Sequence, residues 1–380
     1  MRIGIDARLW GPYGPGVGRY VQNLVENLEK VDRKNEYVIF LRKGSFNLYH
    51  PQNKNFHKVL ADVPWYGFGE QVLLPPIYAS QGLDVLHAPH FNLPIFYSGR
   101  VVVTIHDLTM MKFGGMETST LNIPAYLLKR AGLQVVMRQV VTRAQAIITP
   151  TEFVQKDIAE TFGISKKKIF VTHEAGVLAG KGRTDHERRV EDVLGKYRIP
   201  KPYLLYVGSF YPHKNVNRLI EAVKILNEKK GRKAQLVLVG GKDSFLEKSV
   251  RHALRIGALK YLALTDHVTD ADLIDLYSQA EACVQPSLSE GFGLPTVEAM
   301  SLGIPVVQSD ASCLPEIAGD AALYFDPYDP QDMAAKLDKV LTSATLRKKL
   351  VSKGLKRVKD FSWEKMARET LAVYKKAKNA

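Results

Sequence analysis

Residues 282–302 read ACVQPSLSEGFGLPTVEAMSL. The apolar run 282–285 predicts a short buried strand, and residues 296–302 have the pattern of a helix. Gly291 and Gly293 stand between them, and because glycine lacks a Cβ, the backbone of such a turn can approach a ligand closely. A buried strand that leads through a turn into a helix is the repeating unit of a parallel sheet covered by helices.

The same alternation extends along the chain on both sides of this stretch. In the first half the predicted strands are 3–7, 37–41, 85–88, 101–105, 146–150 and 169–173. In the second half they are 203–207, 235–239, 282–285, 305–308 and 323–325, with further helices at 216–230 and 273–280. Residues 176–200 between the two series are polar and are interpreted as a linker. The sequence therefore predicts an α/β fold with two doubly wound, Rossmann-like domains, residues 1–180 and 198–360.

Charge and composition exclude several classes of protein. The net charge of the 380 residues is +14, but residues 191–335 hold more acidic than basic side chains, which is not the pattern of a uniformly basic nucleic-acid-binding protein. The basic ends are equally consistent with solvated lysine-rich helices and with contact to an anionic membrane surface. Cys283 and Cys313 have no metal or disulfide spacing, which favours a reduced, cytoplasmic compartment. Asp6 argues against a signal peptide, and no apolar run approaches the roughly 18–20 residues of a membrane span.

Two carboxylates bracket the glycine turn, Glu290 in the predicted loop and Glu298 inside the predicted helix. Carboxylate oxygens accept hydrogen bonds from the paired hydroxyls of sugars. Backbone N–H groups at the start of a helix favour a phosphate. The turn therefore predicts a site where one carboxylate contacts a transferred sugar and the other a nucleotide ribose.

Three further motifs follow predicted strands. The glycine-rich loop 11–20 lacks the third glycine of G-x-G-x-x-G, which disfavours a nicotinamide dehydrogenase and leaves either an anion site or a plain tight turn. His106 is placed to bond a sugar hydroxyl, or alternatively is a core histidine bonded to backbone. Lys214 precedes a helix and is placed to reach anionic oxygens, or alternatively is simply solvated.

The sequence Asp270-Ala271-Asp272 spells the D-x-D pattern that holds a divalent metal in other transferases. Here apolar residues follow it at helical spacing. Thr269 or Asp270 as the N-cap, with Asp272 in the first turn, explains the pattern without a metal. We therefore predict neither a bound metal nor a cofactor.

With these motifs in order along almost the whole chain, the sequence resembles the retaining family-4 glycosyltransferases, which have the two-domain GT-B fold. The matching stretches are 16–20, 106–108, 150–153, 208–215, 240–241 and 290–298. The resemblance implies that the two domains face each other across a cleft and that a C-terminal helix at about 362–380 crosses back to the first domain. It also implies a nucleotide-sugar donor as a substrate and a glycan or lipid-linked acceptor.

The resemblance also assigns roles to individual residues. His106, Lys214 and Glu290 would be catalytic, with His106 on the transferred sugar and Lys214 on the departing diphosphate. Glu298 would bind the ribose. The implied donor-binding residues are Gly16, Gly18, Gly208, Lys214, Arg218, Glu290, Gly291, Phe292, Gly293, Leu294 and Glu298.

The chain departs from the family pattern at two places, and the milder is Thr151, where the family often has a serine. Many members have an arginine at one of the positions held here by Ser209 and His213, so the second cation for the diphosphate is unassigned. Arg218 and Arg19 are the two alternatives, and their spacing does not decide between them.

The form of the motifs is similar to that of mannosyltransferases, which favours GDP-mannose as donor, with a UDP-sugar such as UDP-glucose as the alternative. The expected acceptor is a growing glycan on a lipid carrier at the inner face of the plasma membrane, where the enzyme would bind peripherally. A nucleotide-sugar epimerase and a non-catalytic nucleotide-binding scaffold are the competing classes. The set of Lys214, Glu290 and Glu298 argues against the scaffold.

Overall fold

The computed structural model describes residues 1–11, 16–115, 122–176 and 193–379. The chain divides into two compact units, Met1–Glu174 with Phe361–Ala380 (unit 1) and Ala175–Asp360 (unit 2). Most of the predicted linker, residues 177–192, lies outside the described ranges, and residues 193–197 of it are helical. The predicted cleft between two facing domains stays a prediction, and each unit is described by itself.

Unit 1 contains, within the described ranges, a seven-stranded parallel sheet in the order β3-β2-β1-β4-β5-β6-β7. The strands are β1 Arg2–Asp6, β2 Glu36–Leu41, β3 Phe56–Leu60, β4 Val85–Ala88, β5 Val101–Thr104, β6 Ala146–Thr149 and β7 Ile169–Val171. The helices are α1 Val17–Val31, α2 Lys43–Phe46, α3 Phe68–Ala79, α4 Thr109–Lys112, α5 Ile123–Arg143 and α6 Glu152–Phe162. The strand order reverses between β1 and β4.

Unit 2 contains, in the part that the structure describes, a six-stranded parallel sheet in the order β10-β9-β8-β11-β12-β13. The strands are β8 Tyr203–Val207, β9 Gln235–Val239, β10 Leu262–Thr265, β11 Ala282–Gln285, β12 Val306–Ser309 and β13 Ala322–Phe325. The helices are α7 Val216–Lys230, α8 Ser244–Arg255, α9 Asp270–Gln279, α10 Leu294–Ser301, α11 Leu314–Ala318, α12 Pro330–Thr342 and α13 Ala344–Arg357. The order reverses between β8 and β11, and ligands of such sheets bind beyond the carboxyl ends of the strands at that point.

Burial explains why these stretches form strands in the middle of the two sheets. Every residue of β4, β5, β6 and β11 is buried, as expected for parallel strands covered by helices on both faces. On α1, the apolar residues at helical spacing, Val21 to Leu28, pack into the core of unit 1. The predicted α/β fold with two doubly wound domains is confirmed.

Two strands were not predicted from the sequence, β3 and β10, and both lie at the edge of a sheet. Only Phe56 of β3 and Thr265 of β10 are buried, because an edge strand needs to cover less apolar surface. Their sequences, FHKVL and LALT, therefore lack the continuous apolar run that marks a central strand.

The C-terminal helix α14, Trp363–Asn379, belongs to unit 1, as predicted. Its Tyr374 hydroxyl lies 2.7 Å from Nδ1 of His87 on β4. Nε2 of the same histidine lies 2.8 Å from the Thr104 hydroxyl on β5, which in turn is 3.2 Å from the Tyr20 hydroxyl on α1. All four side chains are buried, so this hydrogen-bonded chain fastens α14 to the centre of the sheet.

The D-x-D sequence forms a helix start. The Thr269 hydroxyl caps α9 by accepting a hydrogen bond from the backbone N–H of Asp272 at 3.1 Å. The Asp272 carboxylate binds Lys196 at 2.7 Å and the Tyr197 hydroxyl at 2.9 Å. Helix capping and an ion pair account for Asp272.

Candidate active site

Lys214 and Glu290 meet where β8 and β11 end as neighbours in unit 2. The Lys214 ammonium donates to both carboxylate oxygens of Glu290, each at 2.8 Å. Lys214 closes the short turn Pro212–Lys214 that follows β8, and Glu290 lies in the loop that follows β11. Both side chains are largely buried, with exposed fractions of 19% and 11%. The structure thus brings together two residues that the sequence assigned independently.

Several neighbours fix the Glu290 side chain and backbone. Gln285 and Ser287 each donate to its Oε1 at 2.7 Å. Its backbone N–H donates to the Ser312 hydroxyl at 3.2 Å. Sequence analysis missed Gln285 and Ser287, although their position at the carboxyl end of a buried strand was a usable signal.

The electrostatic balance keeps Glu290 ionised. Burial by itself would raise the pKa of this carboxyl, but the charge and hydrogen bond of Lys214, with the Ser287 hydroxyl, outweigh it and hold the pKa below 4.5. Glu290 is therefore a carboxylate at neutral pH. The carboxylate can accept from ligand hydroxyls, and the ammonium can bind an anion that reaches it.

The glycine turn leads directly into α10. Gly293 is the N-cap residue and has φ +88°, a left-handed conformation that favours glycine. A Cβ on it would lie 2.8 Å from the Leu314 side chain, so packing adds a second reason for glycine here. Gly291 and Phe292 are buried beside it, and Leu294 begins the helix. The positive end of the α10 dipole therefore lies three residues beyond Glu290.

Glu298 lies inside α10, as predicted, and is only 2% exposed. The Tyr277 hydroxyl donates to its Oε2 at 3.4 Å. The backbone of Gly176 packs against the same residue, since a Cβ added to Gly176 would lie 3.5 Å from the Glu298 nitrogen. The proposed contact of Glu298 with a ribose stays a prediction.

Gly208 and Arg218 have different surroundings. The backbone N–H of Gly208 bonds the Val239 carbonyl at 3.0 Å, and a Cβ on Gly240 would lie 2.2 Å from the Gly208 oxygen, so the loops after β8 and β9 touch. Arg218 donates to the Asn215 side chain at 3.0 Å and lies over the Tyr328 ring. Within the described ranges, no hydrogen bond or ion pair joins Arg218 to Lys214 or Glu290.

The glycine loop of unit 1 is described only at its ends, and residues 12–15 of this motif lie outside the described ranges. Gly16 is the N-cap of α1, with φ +81°. A Cβ on Gly18 would lie 2.5 Å from the Gly11 oxygen, so this position needs glycine for the close approach of the loop to the helix.

His106 follows β5 in unit 1, where both of its ring nitrogens face acceptors. Nδ1 lies 3.0 Å from the Glu174 carboxylate and Nε2 lies 3.0 Å from the Pro89 carbonyl oxygen. Both nitrogens donate only if the ring is an imidazolium. Burial alone would lower the pKa of His106, but the hydrogen bond and charge of Glu174 outweigh it and raise the pKa above 6.5. Glu174 was missed from the sequence because a lone glutamate carries no motif.

Two features are absent from the described residues. No three or more His, Cys, Asp or Glu side chains in those ranges are grouped so that they could hold a metal ion. Among the described helices, none combines the length and the apolar character needed to cross a bilayer.

Comparison with known families matches each half of the chain. The model of "Glycosyltransferase Family 4" matches residues 15–175, and that of "Glycosyl transferases group 1" matches residues 192–357. The O-antigen chain mannosyltransferase B of Escherichia coli is 32% identical over 379 residues, which cover 95% of this chain and 96% of the relative. The MMP alpha-(1->4)-mannosyltransferase of Mycolicibacterium hassiacum is 33% identical over 47% of this chain and 44% of its own length.

Solved structures share the fold at low sequence identity. A sucrose-phosphate synthase from Thermosynechococcus elongatus superposes with a TM-score of 0.74 at 20% identity, covering 99% of this chain and 98% of that one. Anabaena HepE, solved in complex with UDP-glucose, has a TM-score of 0.75 at 14% identity, covering 98% of this chain and 100% of that one. The family predicted from the motifs is confirmed, and the chain belongs to the family-4 glycosyltransferases of the GT-B fold.

Proposed function

We propose that this enzyme transfers mannose from GDP-mannose to a hydroxyl of a glycan acceptor, with retention of the anomeric configuration. The mannosyltransferase relatives support the sugar and the glycan. The observation that carries the catalytic assignment is the Lys214–Glu290 pair, fixed at the reversal point of the unit 2 sheet beside the start of α10.

In the proposed reaction the bond between the anomeric carbon and the diphosphate oxygen breaks as the acceptor oxygen bonds to that carbon. The hydroxyl proton of the acceptor leaves with the departing phosphate. Lys214 and the N–H groups at the start of α10 stabilise the negative charge on the diphosphate, and Glu290 holds the hydroxyls of the transferred sugar. Glu298 holds the ribose, and His106 is the remaining residue proposed to contact the transferred sugar.

We further propose that no metal takes part. An anionic diphosphate bound without metal depends on protein cations and helix N–H groups, and the described site provides Lys214 and α10 for this purpose. Transfer that continues at full rate in excess chelator is the expected result. A rate that collapses with chelator and returns with magnesium or manganese would contradict this part of the proposal.

The first experiment is a thermal-shift comparison of GDP, UDP and ADP, followed by transfer assays with GDP-mannose and UDP-glucose. A nucleotide at 100 times its dissociation constant adds about 2.7 kcal/mol to the free energy of unfolding, enough to shift the melting temperature by several degrees. We expect a shift with GDP and product from GDP-mannose. If only UDP shifts the melting temperature and only UDP-glucose gives product, the protein is still a glycosyltransferase, but GDP-mannose is not its donor.

We also propose that unit 1 binds an anionic membrane surface through the first half of α5. Ile123, Leu127 and Leu128 on this helix are exposed by 60%, 57% and 77%. The exposed Lys129 next to them complements anionic lipid headgroups, and a basic residue near such a surface is worth about 1 kcal/mol. Apolar side chains beside a cation fit insertion at the headgroup boundary.

Co-sedimentation with phosphatidylglycerol vesicles at low salt tests the membrane proposal. We expect the double variant Leu127→Ser and Leu128→Ser to lose binding, while the matched change of the exposed Leu254→Ser in unit 2 leaves it intact. If the wild-type protein stays in the supernatant at low salt, the membrane proposal is wrong.

A further inference from the structure

A small cavity with several polar side chains in its lining lies in unit 1, where β1 and β4 end beside each other. It is lined by Asp6, Arg8, Leu9, Trp65, Pro89, His90 and Asn92, and its volume is about 10 Å³. That is the room needed for one water molecule or one ligand hydroxyl. The cavity adjoins His106, because the His90 and His106 rings are 6.4 Å apart and Pro89 accepts a hydrogen bond from His106.

Trp65, one of the lining residues, carries a hydrogen-bond donor. The indole Nε1 of Trp65 is buried and has no hydrogen-bond partner among the described residues, as is also the case for Trp10 and Trp363. A buried N–H group without a partner is unfavourable, and in native proteins the great majority of such groups are paired with protein, water or a ligand. An oxygen atom in the cavity would meet this requirement.

His90, another lining residue, carries a hydrogen-bond acceptor. Nδ1 of His90 lies 2.6 Å from the side-chain oxygen of Asn92, so it carries the hydrogen and donates. Burial, followed by the charge of His106, lowers the pKa of His90 to about 4. The ring is therefore neutral at pH 7, and Nε2 keeps a lone pair. One donor and one acceptor together match a hydroxyl group, which accepts and donates at the same time.

A buried ion cluster fixes the loop that carries Trp65. Arg8 is 1% exposed and binds the Asp6 carboxylate through two bonds of 2.8 Å and the Glu70 carboxylate at 2.6 Å. It also donates to the Val63 carbonyl at 3.1 Å, while Glu70 accepts from the backbone N–H of Tyr66 at 2.9 Å. The backbone is thus anchored on both sides of Trp65, so the indole is placed before a ligand arrives.

An exposed aromatic ring stands next to this cavity. Tyr66 has φ +60°, a conformation that non-glycine residues seldom adopt and that is concentrated at functional sites. Its ring is 61% exposed and packs edge-on against His90 with ring centres 6.2 Å apart. An exposed aromatic face beside a hydroxyl-sized polar cavity is suited to a pyranose, which has an apolar C–H face and a rim of hydroxyls.

We propose that this cavity is a subsite for the acceptor sugar, in which Trp65 Nε1 donates to one acceptor hydroxyl, that hydroxyl donates to His90 Nε2, and Tyr66 covers the sugar face. The inference rests on the proposed function for the identity of the acceptor as a glycan. The inference adds the residues of unit 1 that recognise the arrangement of hydroxyls on the acceptor sugar.

Indole N–H spectroscopy tests the subsite directly, since the chain has three tryptophans. With ¹⁵N-labelled tryptophan and the variant Trp65→Phe to assign the signals, we titrate methyl α-mannoside, methyl α-glucoside and methyl α-galactoside at millimolar concentrations. We expect the Trp65 signal to move with at least one glycoside while the Trp10 signal stays in place. If no glycoside moves the Trp65 signal, the cavity holds water alone and the proposal is overturned.

Kinetics then separate this proposal from the proposed function. With a short synthetic mannoside as acceptor, Trp65→Phe should raise the acceptor KM about 3–10-fold, as for one lost hydrogen bond, and leave the donor KM unchanged. Trp10→Phe is the matched control, because the Trp10 indole N–H also has no partner among the described residues and Trp10 does not line the cavity. A monodeoxy mannoside that lacks the recognised hydroxyl should have the same KM with the wild-type enzyme and with Trp65→Phe.

Failure of the proposed function and failure of the subsite proposal give different experimental results. Wild-type enzyme that transfers no sugar to any acceptor overturns the proposed function, and the indole titration still decides whether a sugar enters the cavity. Wild-type enzyme that transfers mannose while Trp65→Phe leaves every acceptor KM unchanged overturns the subsite alone. A Trp65→Phe protein that melts at the wild-type temperature excludes misfolding as the cause of a raised KM.

Discussion

The Lys214 ammonium lies 2.8 Å from each carboxylate oxygen of Glu290, although the two residues are 76 positions apart in the chain. Their strands, β8 and β11, are neighbours at the reversal point of the unit 2 sheet, so the loops that follow them meet. The pair is largely buried, and removal of either charge leaves the other without its partner. A substitution of Lys214 or Glu290 is therefore expected to change both the activity and the local stability of unit 2.

Removing either member of the pair should abolish most of the transfer. We expect Lys214→Ala and Glu290→Ala each to reduce kcat by about 10²–10³, as for loss of one group that stabilises developing charge. The rate with GDP-mannose and a mannoside acceptor measures this. Lys229→Ala, at an exposed site on α7, is the matched control. Near-normal turnover of both pair variants would remove this site from the mechanism.

The pair should also appear in the pH dependence of stability. Because the pKa of Glu290 is lower in the folded protein than its ordinary value of 4.5, its stabilising contribution is complete above 4.5 and is lost as the pH falls through the folded pKa. Denaturant unfolding of wild type and Glu290→Gln between pH 7 and pH 3 measures this. The difference between the two proteins should shrink at the acid end. A difference that does not change with pH contradicts the assignment.

The contribution of the His106–Glu174 pair to stability should change with pH in the opposite direction. The pKa of His106 is raised above 6.5, so its contribution to stability is complete below that value and is lost as the pH rises through the folded pKa. We expect Glu174→Gln to lower the pKa of His106. The substitution removes the negative charge and replaces one carboxylate oxygen, an acceptor, by an amide nitrogen, a donor. NMR titration of the ring protons reports the shift. The His90 ring, which interacts electrostatically with His106, must be followed in the same spectra.

The buried hydroxyl of Tyr374 should matter for unit 1. Tyr374→Phe leaves Nδ1 of His87 without its partner, and an unsatisfied buried polar group lowers the free energy of unfolding by about 1–3 kcal/mol. Chemical denaturation followed by a probe in unit 1 measures the loss. Tyr328→Phe, at a residue that is 62% exposed, should change stability by far less. Equal stability of both variants would show that water replaces the tyrosine hydroxyl.

The sequence predicts the centre of each sheet better than its edges. Val101–Thr104 and Ala282–Gln285 are continuous apolar runs because helices cover both of their faces, and such runs are visible without a structure. Phe56–Leu60 and Leu262–Thr265 lie at sheet edges and are partly exposed, so their composition resembles that of a loop.

Motifs identified the residues of the candidate site but not their partners. The spacing of Glu290 and the glycines in one turn is local, so it can be read from the chain. The bond between Lys214 and Glu290 depends on which strands become neighbours, and the bonds from Gln285 to Glu290 and from Glu174 to His106 depend on side-chain placement. Ordinary polar residues at strand ends have too many possible roles for sequence alone to choose one.

The last helix has a consequence for how the protein is made. Because α14 packs on the unit where the chain begins, the ribosome must synthesise all of unit 2 before unit 1 can be completed. At roughly 5–20 residues per second this delay is on the order of ten seconds or more. During that time the nascent sheet lacks the helix that carries Tyr374, and its apolar surface is open to chaperones. Unit 2, although second in the chain, can be the first to finish folding.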